Sequence, residues 1–419
     1  MRGVIGLVSP ISILALCWGI TVTGAWVALA FPERFDLVAV FLLRQSITPG
    51  TLAPMGAVWL ALALATWTVA DRATAIALPA PRAFRVGIHP DRAARTVLWA
   101  TLLCVGVTAL WVVVSSRGLG GPIGLARLAL DDPDSARDHL LRGKLFPGMR
   151  LAYAALPGTG AFAAALLALG GLTGGQRRAC MVAVALSGLV LLILPVVMSQ
   201  RLLTLQFAIS TYLAICLVRG RLLALGWLGL GAAAFAAVWI MREAITNPSI
   251  DRGMLDIALQ KALYYTANDL WNSFEPLGRE LRHTGGALTF SGLAVLTATD
   301  GLWSEMAADR LEALETMKGG GEFSLLTTAF VDFGVVGGTV EVAVFAVLFR
   351  LVWHAGQGRF GAALAYSQIG AALFFSSHGN YVTHQNLLTS LGLIWVVLNL
   401  SRVSAPERAS EGGARGLPV

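Results

Sequence analysis

The chain has 419 residues, of which 56% are hydrophobic and only 13% charged, and its mean hydropathy is +0.70. That balance excludes a soluble domain of any fold. The net charge of +7 does not point to nucleic acid, because no block of five or more Lys and Arg occurs; dispersed arginines suit anionic lipid or a phosphate-bearing substrate.

The apolar runs are continuous rather than alternating, which argues against an outer-membrane barrel and for an all-α polytopic membrane protein. A helix needs about 20 apolar residues to cross the hydrocarbon core, so the length allows around ten spans. Taken in order, they are predicted at 8–30, 53–70, 96–115, 149–170, 179–198, 202–218, 222–241, 335–353, 361–377 and 386–400. The first follows Arg2 and ends in Ala28-Leu29-Ala30, like a cleavable signal, but its apolar run exceeds a signal's h-region of about 7–15 residues and reads as a retained helix. Cys17, Cys104, Cys180 and Cys216 all fall within apolar runs, where they act as small hydrophobes.

Orientation follows from the short connections. Arg72, Arg82, Arg85, Arg92 and Arg95, then Arg177 and Arg178, Arg219 and Arg221, and the tail arginines Arg402, Arg408 and Arg415 all share one side. The positive-inside rule makes that side cytoplasmic, together with both termini. The longer connections 32–52, 116–148 and 242–334 are then external. The chain divides into spans one to seven over 1–241, a large external loop over 242–334, spans eight to ten over 335–400 and a cytoplasmic tail over 401–419. Within the loop, 254–265 and 302–317 have amphipathic helical spacing, expected to lie on the membrane face or cap the bundle, and 285–298 is apolar but too short to span.

No Walker loop, GxGxxG, HExxH, GxSxG or CxxC is present, which removes the usual sequence support for nucleotide-driven transport, metalloprotease chemistry and serine hydrolysis. Arg201, in the tight external turn MSQRLLTLQF, either binds a phosphate through its planar fork or anchors the turn at the interface. Arg242, closing span seven, offers a second phosphate contact or pairs with Glu243. The segment 264–286 gathers Asn268, Asp269, Asn272, Glu275, Arg279, Arg282 and His283 among Tyr264, Tyr265, Trp271 and Phe274. Aromatic faces beside amides and carboxylates suit a carbohydrate, although an interfacial aromatic belt would look the same. His283 is the external histidine best placed as a general base.

HGNYVTHQ carries His378 and His384, whose spacing is poor for a helical metal pair and better suited to sugar contacts or a helix cap. In KGGGEFSLLTTAFVDFGVVGG, Glu322 and Asp332 flank an apolar run at the external mouth of span eight. There they would bind sugar hydroxyls, with Asp332 alternatively capping the helix. No metal site and no cofactor are expected.

The basic turn SQRLL, the cluster YYTANDLWN and the run GEFSLLTTAFVDFGVVGG, with its DFG-x-x-G, resemble Wzy-type oligosaccharide repeat-unit polymerases, and more distantly O-antigen ligases. The resemblance implies a glycosyltransferase-C-like layout in the bacterial inner membrane, with a periplasmic loop and active site. It further implies transfer of a glycan from undecaprenyl pyrophosphate to the non-reducing end of another lipid-linked unit, with a chain-length regulator as an additional partner. His283 would then be the base, and Arg201 with Arg279 or Arg282 the pyrophosphate clamp. A transporter or flippase would instead need polar residues along a mid-membrane path, where the sequence offers only Glu341 and a few hydroxyls.

Overall fold

A computed structural model describes residues 6–81, 83–146, 148–198, 202–246, 253–307, 317–318 and 321–403. Among the described residues there are α-helices and short 3-10 turns but no strand, only the isolated bridges Arg85–Arg359 and Ile88–Arg402. The helices are α1 Pro10–Ala30, α2 Asp36–Arg44, α3 Pro54–Ala77, α4 Pro90–Ser115, α5 Pro122–Asp131, α6 Pro133–Arg142, α7 Leu151–Leu169 and α8 Gly174–Met198. They continue with α9 Leu202–Arg219, α10 Leu225–Thr246, α11 Met254–Phe274, α12 Ser291–Leu296, α13 Asp300–Ala307, α14 Leu325–Gly356, α15 Phe360–Leu373 and α16 Gln385–Leu400.

Local chemistry sets many of these boundaries. Prolines 10, 54, 90, 122 and 133 each open a helix, where their missing N–H would be unpaired in any case. Asp132 and Ser324 accept from the backbone N–H groups of Ser135 and Thr327, both at 3.1 Å, and so cap α6 and α14.

Among the described residues seven helices, α1, α3, α4, α7, α8, α9 and α14, are long and apolar enough to cross a membrane, so the chain is a multi-pass membrane protein. The apolar stretch of α10, at 229–241, is shorter, as are α15 and α16. Each of the ten predicted spans falls on a helix, but seven of these are long and apolar enough to cross, and one span and one loop helix differ from expectation. The span expected to begin at 335 starts ten residues earlier and breaks at Gly334, whose φ of 69° and ψ of −168° are non-helical. The amphipathic helix expected over 254–265 continues to Phe274, and its last seven residues, 268–274, are all buried. It therefore does not simply lie on the membrane face: it packs against α1, α2 and α10.

Small residues permit the closest approaches. Gly24 of α1 meets the Thr266 side chain, where an added Cβ would come within 2.6 Å, and Gly56 of α3 lies against Phe274. The central helix α7, rich in Ala and Gly, touches α4, α8, α9 and α16. Its Gly158 abuts Ser390, whose hydroxyl donates to the Ala154 carbonyl at 2.9 Å.

The bundle has two chemically distinct ends. At one, the Arg85 N–H donates to Gly358 O at 2.9 Å and the His89 N–H to Ser401 O at 2.9 Å, which brings the 72–95, 357–359 and 401–402 connections together. This is the arginine-rich end. Near it, Asp71 of α3, 2% exposed, pairs with Arg350 of α14 at 3.3 Å, and Arg350 lies over the Trp353 ring. A charge placed in the bundle needs such a partner. The opposite end carries α2, α11, α12 and the start of α14.

Candidate functional site

At that opposite end, polar residues from three separate parts of the chain meet. The last turns of α11 supply Asn268, Asp269 and Asn272, the 321–324 turn supplies Glu322, and the 374–384 connection supplies His378, Asn380, Tyr381 and His384. The connection is tied down on both flanks. Thr21 and Ser377 share a hydrogen bond at 2.7 Å, Cys17 and Ser377 one at 3.1 Å, and the Leu325 N–H donates to Ser376 O at 2.8 Å.

Asp269, 7% exposed, meets His378 Nδ1 at 2.8 Å from Oδ1. A carboxylate in that position fixes the imidazole's orientation. Glu322 lies close by: its Oε2 is 2.5 Å from where a Cβ on Gly379 would stand, so a side chain there would displace the carboxylate. Solvent reaches Glu322, yet the surrounding protein pushes its carboxyl pKa up. The His378 charge and a hydrogen bond from Tyr381 pull in the opposite direction, while Asp269 adds to the rise. Tyr381, desolvated and facing both carboxylates, is raised far above the ordinary phenol range and stays a neutral donor. Its ring stacks on His378 at 6.2 Å between centroids and contacts His384 edge-on at 6.0 Å.

His384 marks the transition to a basic region. Its Nδ1 accepts from the Asn386 N–H at 3.2 Å and so caps α16. Burial, and then the Arg150 charge, push its pKa down to about 4, so the ring is a neutral acceptor at any ordinary pH. Arg150 sits at the N-cap of α7, which packs its first turns against the start of α16. Burial and the nearby Arg137 lower its own pKa. A small recess below Tyr381 and His384 is lined by Leu202, Gln206, Phe375 and Asn386.

The arrangement is thus an imidazole hydrogen-bonded to one carboxylate with a second carboxylate nearby, and an arginine beyond a neutral histidine. Its acidic part can accept a proton from a hydroxyl group, and its basic part can hold an anion.

The other sequence-predicted residues are distributed as follows. Asn272 is buried and exchanges two hydrogen bonds with the Lys318 backbone, at 3.1 and 2.8 Å. Asn268 is 0% exposed, packed beneath Gly321, and its amide atoms have no hydrogen-bond partner among the described residues. Trp271 does not offer an open stacking face: it is 2% exposed and Lys318 Nζ lies 4.2 Å from its ring centroid. Glu275 is the partner of Arg279, at 2.9 Å from Nε, and Arg279 is exposed. Arg282 is also exposed and lies two residues before Thr284. Arg201 and the Arg242 side chain lie outside the described residues.

His283 and Asp332 belong to a different contact network. The His283 ring packs edge-on against Phe330 at 5.8 Å, and Nδ1 lies 3.3 Å from Val331 O. Its Nε2 is 2.6 Å from where a Cβ on Gly334 would stand. Asp332 is 1% exposed rather than open at the helix mouth. It accepts from the Thr284 hydroxyl and from the N–H groups of Leu288 at 3.1 Å and Thr289 at 2.7 Å. Its oxygens are therefore committed to protein donors, not arranged for sugar hydroxyls.

Three members of the site, Asn380, Tyr381 and Arg150, were not singled out from sequence. Tyr381 sits inside HGNYVTHQ between the two histidines, which was signal enough to find it. Arg150 looks like any arginine flanking a span, and only the packing of α7 on α16 distinguishes it. No family model, curated protein or solved structure matches this chain.

Proposed function

We propose that the protein is a glycan polymerase of the inner membrane, acting at its periplasmic face on oligosaccharide repeat units carried by undecaprenyl pyrophosphate. The observation that carries the reading is the Asp269–His378–Glu322 group at the end of the bundle opposite the arginine-rich connections, with Arg150 nearby. The positive-inside rule makes that end external.

In the proposed reaction, the non-reducing-end hydroxyl of one lipid-linked unit attacks the anomeric carbon of another. A C–O bond forms to the acceptor oxygen, the bond from the anomeric carbon to the phosphate oxygen breaks, and undecaprenyl pyrophosphate departs with the electron pair. The acceptor's proton goes to the His378–Glu322 pair, with Asp269 holding the imidazole and supporting the positive charge that develops on it. Arg150 and Arg137 supply cationic charge for the leaving pyrophosphate. The base in this account is His378, in place of His283, because His378 is the histidine that is hydrogen-bonded to one carboxylate and within electrostatic reach of a second.

Purified protein in bilayer vesicles, given defined lipid-linked repeat units, should yield a ladder of longer lipid-linked glycans without nucleotide. Movement of units across the bilayer with no growth in length would overturn the reading in favour of a flippase. Disruption of the gene should leave single capped units at the cell surface; full-length chains accumulating on the carrier would instead indicate a ligase.

A further inference from the structure

The DFG break in α14 is not part of the proposed reaction centre, yet it is joined to it through one short segment. At the break, the carbonyls of Val331 and Asp332 accept from the N–H groups of Thr284 at 3.2 Å and Gly285 at 2.9 Å. The Asp332 carboxylate takes the Thr284 hydroxyl and the Leu288 and Thr289 N–H groups. The Thr289 hydroxyl then donates to Glu341 Oε1 at 2.9 Å, one helical stretch further along α14. Residues 284–289 are therefore bound to α14 on both sides of Gly334.

Three residues later the same segment reaches the histidine connection. Gly292, on α12, lies directly on the backbone of Thr383, His384 and Gln385, so closely that a Cβ there would overlap the Thr383 carbonyl. The site loop is thus gripped from one flank by Leu325 N–H on Ser376 O, at the start of α14, and from the other by α12.

We propose that residues 283–296 form a clasp that positions the His378–His384 connection, with Asp332 as its anchor on α14 and Gly292 as its contact with the site. Asp332, Thr284 and Gly292 are positioning residues, acting through the backbone that carries His378 and His384. The inference rests on the proposed site only for its effect on turnover; the clasp itself has a readout that needs no activity.

A Thr383→Cys reporter supplies that readout, since Cys17, Cys104, Cys180 and Cys216 are all buried and give little background. Labelling of the reporter by a membrane-impermeant maleimide should accelerate about tenfold in Thr284→Val and Asp332→Asn, the scale of one lost hydrogen bond. Gly292→Ala should act in the same direction from the other end of the clasp, and Thr284→Ser, which keeps the hydroxyl, should restore the parent rate. In the polymerisation assay, Thr284→Val should lower kcat with little change in KM, and Thr284→Ser should recover it. Reporter rates within about twofold of the parent in Thr284→Val, Asp332→Asn and Gly292→Ala would overturn the clasp, being less than one hydrogen bond's worth. Faster labelling with no turnover in any protein, the parent included, would support the clasp and count against the polymerase reading alone.

Discussion

Replacing Gly334 by alanine tests how the break in α14 is held. The glycine's φ of 69° and ψ of −168° lie in a region open essentially to glycine alone, where another residue costs roughly 1–3 kcal/mol. The new methyl group would also stand 2.6 Å from His283 Nε2, forcing the ring away from Val331 O. Loss of that hydrogen bond adds about 1 kcal/mol. The sum is on the order of 2–4 kcal/mol, which lowers the unfolding midpoint by several degrees. Thermal or denaturant unfolding of the detergent-solubilised protein reads this directly. In a His283→Ala background, where that hydrogen bond is already gone, Gly334→Ala should cost only the backbone part, roughly 1–3 kcal/mol. A Gly334→Ala protein within about 0.5 kcal/mol of the parent would refute the reasoning, because surface changes alone reach that size.

Three further outcomes follow from the site. Asp269→Asn removes the charge that supports His378, and loss of one charge-assisted hydrogen bond, worth about 1.5–3 kcal/mol, should cut turnover roughly 10- to 150-fold at unchanged protein abundance. His384 is held neutral in the folded state, with a pKa of about 4 against an ordinary 6.5, so its contribution to stability is present above 6.5 and is lost as pH falls towards 4. That loss is at most about 3 kcal/mol, and a His384→Gln protein should show a shallower acid limb in pH-dependent unfolding. Glu322 has a raised carboxyl pKa, so its favourable contribution is present below the ordinary 4.5 and is lost as pH rises through the folded value. Glu322→Gln should therefore be slightly more stable than the parent at neutral and alkaline pH, by an amount that solvent screening keeps small, while losing turnover; lower stability at pH 8 would contradict the assignment.

How far the sequence could be read depended on whether an interaction was local. The seven helices long enough to cross a membrane were legible because about 20 apolar residues in a row have few other uses. Their caps are equally local, since proline and Ser324 act on their own turn, yet Asp332 rather than Ser324 was the cap expected for span eight. The 254–265 stretch was readable as an amphipathic helix, but not its extension into the bundle. Asn268, Asp269 and Asn272 look like surface polar residues until α1 and α3 present Gly24 and Gly56 to the same helix. The two acidic residues in the GGGEF…DFG stretch look equivalent in sequence. Only tertiary contacts give Glu322 to His378 and Tyr381, and Asp332 to Thr284, Leu288 and Thr289. The choice between His283 and His378 has the same origin. Asp269 and His378 are separated by 109 residues, and no local pattern announces that they pair.

The central claim, that the external end of the bundle polymerises glycans through His378 rather than His283, is tested by comparing His378→Ala and His283→Ala in one assay. Each purified protein, at matched abundance in vesicles, would be given the same lipid-linked repeat units and its products sized. The account predicts no chain growth with His378→Ala and a ladder of unchanged length distribution, formed more slowly, with His283→Ala. A full ladder from the His378→Ala protein would contradict it.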